Sequence, residues 1–508
     1  MGSEMCIRDR YIPFVLFKIM LIALNLKFSQ RLIFPSIVGV DPWWHQMFTL
    51  KILDAGHIPE GYAYSQLPLM HLLIGSTSLI TRLNYKIATM LSISLLQVLC
   101  DLLFTFLLGS FLFNNKVGLL GGLLLGIANW HVMDFWTIPN TMAAVFILII
   151  IYLLLKVEGK KPHIGISLAI FLMKALILTH TVAAVWMAIL LFVFWSGFEV
   201  YNWIHGNQKM PVTFILSILF IVGMLSWWTY ASGHIKILAE LVKCGFSLDY
   251  FLRPVPKEVI QYAYNVPFSE QLFNNLGTIL FFIISLIGCL HMVSRRFGNF
   301  YSFTLAISGT ITLAITFFAP ITGRGILENR WCYYSQILLA LPAAVSLFLF
   351  CLVIKNKLGK SLFLSASMFL LSFLMILSPI ANLDNPAFSP NTQVRYAFKE
   401  SELQAVKTIS KIWSKKVGVD SYYSVIRHSS YLMEDISVQI YNRNYSDCQD
   451  MFILIREEVV NHPFMLIHLT YKLDYDPREV LTSQGFSKVY DCCSVSGFVY
   501  SANYCERD

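Results

Sequence analysis

Apolar runs of about 17 to 25 residues recur through the first three quarters of this chain. Each is long enough to carry a helix across roughly 30 Å of hydrocarbon at about 1.5 Å per residue. They fall at 11–27, 87–113, 117–133, 139–156, 162–179, 181–198, 212–230, 273–293, 300–319, 332–354 and 361–381. Of the 508 residues, 56% are hydrophobic and 13% charged, about half the charged fraction of an ordinary soluble domain. Most of the surface must therefore face something apolar. Charges become frequent only after residue 383, which predicts an α-helical polytopic membrane region over 11–382 and a soluble domain over 383–508. The net charge of +8 sits mostly beside apolar runs, where Lys and Arg act as topology signals. No basic stripe marks nucleic acid as a partner. Residues 1–10, MGSEMCIRDR, contain a string that a sequencing-adapter end encodes in frame. The decamer is set aside as an artefact or a short cytoplasmic tail.

The stretch 66–81, QLPLMHLLIGSTSLIT, is short, proline-led and carries hydroxyls and His71. The distribution of basic residues decides whether it crosses. If it does not, Lys116, Lys156/Lys160/Lys161, Lys209, Arg295/Arg296 and Lys355/Lys357/Lys360 all fall in cytoplasmic loops, as the positive-inside rule requires. If it crosses, every cluster changes sides. The expectation is an interfacial helix at 66–81, eleven spans, a large first outer loop over 28–86, and an extracytoplasmic tail.

Within that tail, SELQAVKTISKIW has a helical stripe at Leu403, Val406, Ile409 and Ile412. VGVD (417–420) and MFILI (451–455) read as strands and KVYDCCSVSGFVYS (488–501) as a hairpin, giving an α/β domain. Asn444-Tyr-Ser is a glycosylation sequon, usable only on an outer surface. Of the ten cysteines, Cys100, Cys289, Cys332 and Cys351 lie in apolar runs. Cys448, Cys492, Cys493 and Cys505 lie in the tail, where an oxidising compartment permits one or two disulfides of unspecified pairing.

The polar residues that carry chemistry gather in the predicted outer loops. In Asp41-Pro-Trp-Trp-His45, His45 opens a helix reaching about Ala55, and Trp43 and Trp44 suit a membrane interface. Asp41 is either the N-cap of that helix or an acid acting on a substrate held at the membrane surface. WHVMDFWTIPNTMA (130–143) carries Asp134, His131 and Asn140, and Thr179-His180-Thr181 forms another outer turn. Asp134 is a solvated turn residue or a second site acid; His180 is a helix cap or a ligand contact. Arg324, Glu328 and Arg330 precede the tenth span, and Arg253 sits in RPVPKE. A guanidinium pairs bidentately with phosphate, so these arginines are candidate phosphate ligands. Asp101 and Lys174 lie inside apolar runs, where a charge is functional or paired with another.

DPWWH in the first outer loop resembles the DPYYH-type motif of oligosaccharyltransferase catalytic subunits and, more broadly, the GT-C superfamily of polyprenyl-phosphate-dependent glycosyltransferases. The resemblance implies a GT-C-like fold over nearly the whole chain and makes Asp41 the catalytic or metal-binding acid, with His45 beside it. It makes Asp134, with His131 and Asn140 near, the counterpart of a second acidic motif, although the usual paired acids are not reproduced. Asp41 and Asp134 would then hold Mg²⁺ or Mn²⁺, since hard cations favour oxygen ligands. It assigns Arg324, Arg330 and Arg253 to a donor phosphate. One departure is SWWTYASGH (226–234), which lacks the aspartate of the acceptor-reading WWDYG motif and lies elsewhere. Peptide N-glycosylation is thereby disfavoured. The resulting expectation is a membrane glycosyltransferase moving sugar from a polyprenyl-phosphate-linked donor to an unspecified acceptor at the outer face. The alternative is a transporter or flippase for a lipid-linked or small polar substrate. Transporters keep their polar site near the midplane, between repeated halves, whereas here the polar residues sit at outer mouths and no repeat is visible.

Overall fold

The computed structural model describes residues 11–133, 136–156, 162–206, 212–239, 266–322, 328–382, 388–429, 431–466 and 469–501. Among these, 11–28, 49–239 and 276–376 form one compact unit, and 29–48, 266–275 and 377–501 form another.

The chain is an integral multi-pass membrane protein. Among the described residues, eight helices are long and apolar enough to cross a bilayer: Ile12–Leu32, Tyr85–Leu112, Thr181–His205, Phe214–Ser232, Phe268–Val293, Phe300–Phe317, Arg330–Val353 and Lys357–Ile376. Shorter apolar helices run over Leu69–Thr81, Asn115–Ile127, Pro139–Leu155 and Pro162–Ile177. The 13-residue Leu69–Thr81 helix is about 20 Å long at 1.5 Å per residue, short of the hydrocarbon thickness. The predicted run 117–133 is broken at Ala128, whose extended backbone (ψ 129°) separates Asn115–Ile127 from a short helix, Asn129–Met133. Large side chains such as Phe14, Phe171, Ile215, Leu290 and Phe369 remain exposed, an apolar surface suited to lipid.

Small residues and hydroxyls let these helices pack. Asn114 accepts hydrogen bonds from the amides of Lys116 and Val117, so the chain turns sharply between Tyr85–Leu112 and Asn115–Ile127. In the Phe300–Thr322 helix, Thr304, Ser308, Thr312 and Thr316 each donate to the carbonyl four residues back. Their hydroxyls are thus satisfied inside an apolar bundle. The Glu328–Val353 helix carries the most enclosed of the eight spans. It approaches the Phe268–Val293 helix so closely that a β-carbon on Gly288 would lie 1.9 Å from the Pro342 carbonyl oxygen.

The other unit contains the mixed α/β region. Strands β1 (Val417–Val419), β2 (Met433–Asp435), β3 (Phe452–Arg456), β6 (Phe486–Cys492) and β7 (Val495–Tyr500) form one sheet in the order β2-β1-β3-β7-β6. β1 is parallel to β2 and β3, while β3–β7 and β7–β6 are antiparallel. β4 (Phe464–Leu466) and β5 (Leu469–Tyr471) pair separately. Both expected strands and the expected hairpin are present. The Glu400–Ile412 helix is present too, but its buried face is Glu402, Ala405, Val406 and Ile409, and Ile412 stays 69% exposed. Glu402 causes the rotation: one of its oxygens pairs with Arg395, the other accepts the Lys399 amide at 2.7 Å, and the carboxylate is thereby held inside. The described cysteines of this unit, Cys448, Cys492 and Cys493, are free thiols.

Candidate active site

The Asp41 loop is built into the α/β unit. The Gly39 amide donates to the Tyr396 carbonyl at 2.8 Å, the Phe398 amide donates to Ser36 Oγ at 2.8 Å, and the Tyr422 hydroxyl donates to the Gly39 carbonyl at 3.4 Å. Gly39 has a φ of 97°, a backbone that side chains resist, and this bend delivers the chain to a helix starting at Asp41. The Trp43 ring packs 5.8 Å from Phe398, which stacks 4.8 Å from Tyr422. Behind these rings lies Arg456, buried and bidentate on Asp420 at 2.7 and 2.8 Å. Burial works against its charge, but Asp420 and Glu402 outweigh that and push its pKa up. The guanidinium faces Phe398, Tyr422 and Tyr423 at 5.2 to 5.8 Å, within cation–π range.

Asp41 is the first residue of the Asp41–Ala55 helix and is exposed. A helix cap accepts an amide hydrogen bond two or three residues on; among the described residues the Asp41 carboxylate accepts none, and Trp43 N instead donates to the Val40 carbonyl at 3.3 Å. One turn later His45 is 4% exposed, with its ring edge-on to Trp44 at 5.2 Å.

In the helical unit the structure brings two predicted residues together. Arg330, half-buried at the start of its helix, places Nη1 3.1 Å from His180 Nε2. His180 precedes the Thr181–His205 helix as its N-cap, Nδ1 accepting the Ala183 amide at 3.2 Å. Burial, and then the Arg330 charge, hold the His180 pKa well below the usual histidine range. The imidazole is therefore neutral, and with Nδ1 as its one acceptor the proton sits on Nε2, so the Arg330 contact is a close approach and not a hydrogen bond. Among the described residues the rest of the Arg330 guanidinium is unbonded, so a fork of N–H donors remains for an anion. Nearby on the same helix, Tyr334 stacks on Trp186 at 4.1 Å and donates to Asn140 Oδ1.

Asp101 pairs with His131: Nε2 lies 3.3 Å from Oδ2, both groups almost fully buried. Lys174, its expected alternative partner, is exposed. Tyr333 donates to the same Asp101 oxygen at 3.4 Å, Gln97 Nε2 donates to the Tyr333 hydroxyl, and Lys27 Nζ donates to Gln97 Oε1. The sequence reading missed Lys27, Gln97 and Tyr333. The usable signal was the one that exposed Asp101, a polar group inside an apolar run. Asp134, Arg253 and Arg324 lie outside the described residues. Among the described residues no group of three or more His, Cys, Asp or Glu side chains could hold a metal ion. Asp41 alone supplies one carboxylate, and no step below is routed through a metal.

No family model and no curated protein matches the sequence. Solved structures are similar in fold. One is the archaeal oligosaccharyltransferase AglB from Archaeoglobus fulgidus, in complex with an inhibitory peptide and a dolichol-phosphate. It has a TM-score of 0.55 and 13% identity, over 97% of this chain and 74% of that one. Another is ArnT from Cupriavidus metallidurans. Bound to undecaprenyl phosphate it has a TM-score of 0.53 and 11% identity, over 96% of this chain and 97% of that one. In the apo state it has a TM-score of 0.54 and 10% identity, over 98% of both.

Proposed function

Taking as premise the GT-C glycosyltransferase fold shared with AglB and ArnT, we propose that this protein transfers a sugar from a polyprenyl-phosphate-linked donor to an acceptor at the extracytoplasmic face. The observation that carries the proposal is the Asp41 carboxylate, exposed and unbonded on the first turn of the helix that its loop is braced to present. AglB and ArnT are each seen with a polyprenyl phosphate, and that ligand class is carried to this chain. In this reading eleven helices cross the membrane, Leu69–Thr81 lies at the interface and the α/β region faces outward. The placement of the basic residues supports that topology.

The acceptor hydroxyl oxygen attacks the anomeric carbon, and the bond from that carbon to the phosphate oxygen breaks. Asp41 takes the hydroxyl proton as general base, assistance worth about 10² to 10⁴-fold in rate. The bonding electrons leave on the phosphate oxygen. Arg330, beside the neutral His180, meets that charge with its N–H groups. Asp134, Arg253 and Arg324 are further contacts under the same reading. Asp134 with Asp41 would supply the oxygen ligands for Mg²⁺ or Mn²⁺.

The test is purified protein in lipid, given labelled polyprenyl-phosphate sugars and extracts as acceptor. Movement of label from the lipid donor to acceptor is expected. Label that stays on every donor tried contradicts the reading.

A further inference from the structure

The strand order β2-β1-β3 puts β1 between its two successors in the chain. The chain therefore leaves β1 to one side for β2 and comes back on the other side for β3. In open sheets of parallel strands, ligands bind outside the carboxyl ends of the strands at such a reversal. β1 and β3 are parallel, and their carboxyl ends carry Asp420, the residue after Val419, and Arg456, the last residue of β3. These two meet across the reversal as a bidentate pair at 2.7 and 2.8 Å, and are 1% and 2% exposed. Asp420 also accepts the Tyr423 amide at 3.1 Å, and the Tyr423 hydroxyl donates to the Glu402 carbonyl. Burying two charges is costly even when they pair well, so a pair at the place where such sheets keep their ligands calls for a use.

What lies over that pair is the chain's own segment. The Phe398 ring is 5.5 Å from the Arg456 guanidinium, 4.8 Å from Tyr422 and 5.8 Å from Trp43. One ring thus joins the charge pair to a residue two positions from Asp41. Ile37, Val40 and Trp43 pack into the same apolar cluster as Val419 and Leu454, on one face of the sheet. The main chain completes the seat: the Gly39 amide donates to Tyr396 and the Phe398 amide to Ser36 Oγ, both at 2.8 Å. Phe398 is itself fixed on both sides. Before it, Arg395 donates from Nε to the Ala397 carbonyl at 3.1 Å and pairs with Glu402; after it, the Lys399 amide donates to Glu402 at 2.7 Å. The opposite face of the sheet packs a separate cluster around Ile453, Ile455, Phe486 and Phe498. Closely packed rings pass a displacement on instead of absorbing it.

We infer that the α/β unit holds the Asp41 loop in its own strand-switch crevice, where a related sheet would hold a ligand, and that Phe398, seated on the Arg456–Asp420 pair, is the positioning residue that sets where the Asp41 carboxylate stands. The kinetic half of this inference rests on the glycosyl-transfer reading. The holding half stands on geometry alone.

The test sets Phe398→Leu against Phe486→Leu in the full-length protein in detergent-lipid. Each removes a ring that is almost fully buried, 0% and 3% exposed, from one sheet, but only Phe398 joins the loop to the charge pair. Melting midpoint and deuterium exchange of the amides in 37–43 are measured without substrate, and kcat and KM with donor and acceptor. Both variants should melt below the parent. In Phe398→Leu the loop amides should exchange about tenfold faster, and kcat should fall about 10- to 100-fold with KM within about twofold of the parent. In Phe486→Leu, loop exchange and kcat well below the melting midpoint should stay at the parental values, because the site is independent of the loop. Arg456→Lys, which keeps the buried charge and loses the planar fork, is the second variant and should loosen the same amides. Loop exchange that rises no more in Phe398→Leu and Arg456→Lys than in Phe486→Leu overturns the holding. Faster loop exchange at parental kcat overturns the positioning role. A parental protein that transfers no sugar would remove the enzymatic reading and the kinetic half with it, while the exchange comparison still decides the holding.

Discussion

Arg330 places Nη1 3.1 Å from His180 Nε2, beside a side chain that carries no charge. A neutral imidazole leaves the cation uncancelled, so a phosphate approaching the free N–H groups meets a full positive charge already oriented. A charge-assisted hydrogen bond is worth about 1.5 to 3 kcal/mol, or roughly 10- to 100-fold in binding. Arg330→Gln should therefore raise the KM for a polyprenyl-phosphate donor by about tenfold or more and slow turnover. Lysine should restore only part, since a point charge does not reproduce the fork. Unchanged donor affinity and rate in Arg330→Gln would remove it from the site. The arginine and the histidine were both readable from the sequence, being polar groups at the ends of apolar runs. Their pairing was not, because it joins positions 150 residues apart and no local pattern encodes such a distance. Lys27 and Gln97 were hidden for a related reason. One ends an apolar run and the other is uncharged, so neither stands out until Tyr333 is placed beside them.

Among the elements, the segment from Ser36 to the start of the Asp41–Ala55 helix depends most on residues distant in sequence. Its Gly39 amide and its Ser36 hydroxyl bond Tyr396 and Phe398, more than 350 positions away, and its bend requires Gly39 at a φ of 97°. An alanine there is forced toward a left-handed backbone at a cost of about 1 to 2 kcal/mol. Gly39→Ala should lower the melting midpoint and reduce kcat more than it changes KM, as measured by calorimetry and steady-state transfer. Parental stability and rate would show that the loop tolerates a different bend. Local pattern exposed a helix from His45 to about Ala55, in fact one that begins at Asp41, together with the tail strands and the hairpin, because each is decided by nearby residues. It misjudged the buried face of Glu400–Ile412, where the ion pair of Arg395 and Glu402 draws a charged residue inward. It also read 117–133 as one run, since hydropathy does not register that Asn129 would leave the helix at Ala128 to bond Thr278 and Gln336.

At the scale of the whole molecule, hydropathy made the membrane character legible and the positive-inside pattern gave the expected orientation. That orientation has a direct check. In a background with the native cysteines changed to serine, Ser446→Cys should react with an impermeant reagent added outside intact cells, and Lys355→Cys should react only after permeabilisation. Both positions are exposed, so the reverse order would overturn the eleven-span arrangement. The proposed sugar transfer turns on Asp41. Comparing Asp41→Asn and Asp41→Ala with the parent, for melting midpoint and for transfer from a labelled polyprenyl-phosphate sugar, tests it most directly. Asparagine keeps the shape and caps a helix about as well as aspartate, so stability should hold while the rate falls about 10² to 10⁴-fold with the loss of the base. Alanine should fall as far in rate, with less than the roughly 1 kcal/mol of stability that a lost cap costs, because the carboxylate makes no capping bond. Transfer at the parental rate by Asp41→Asn, with Asp41→Ala losing stability alone, would make Asp41 a structural cap and contradict the account.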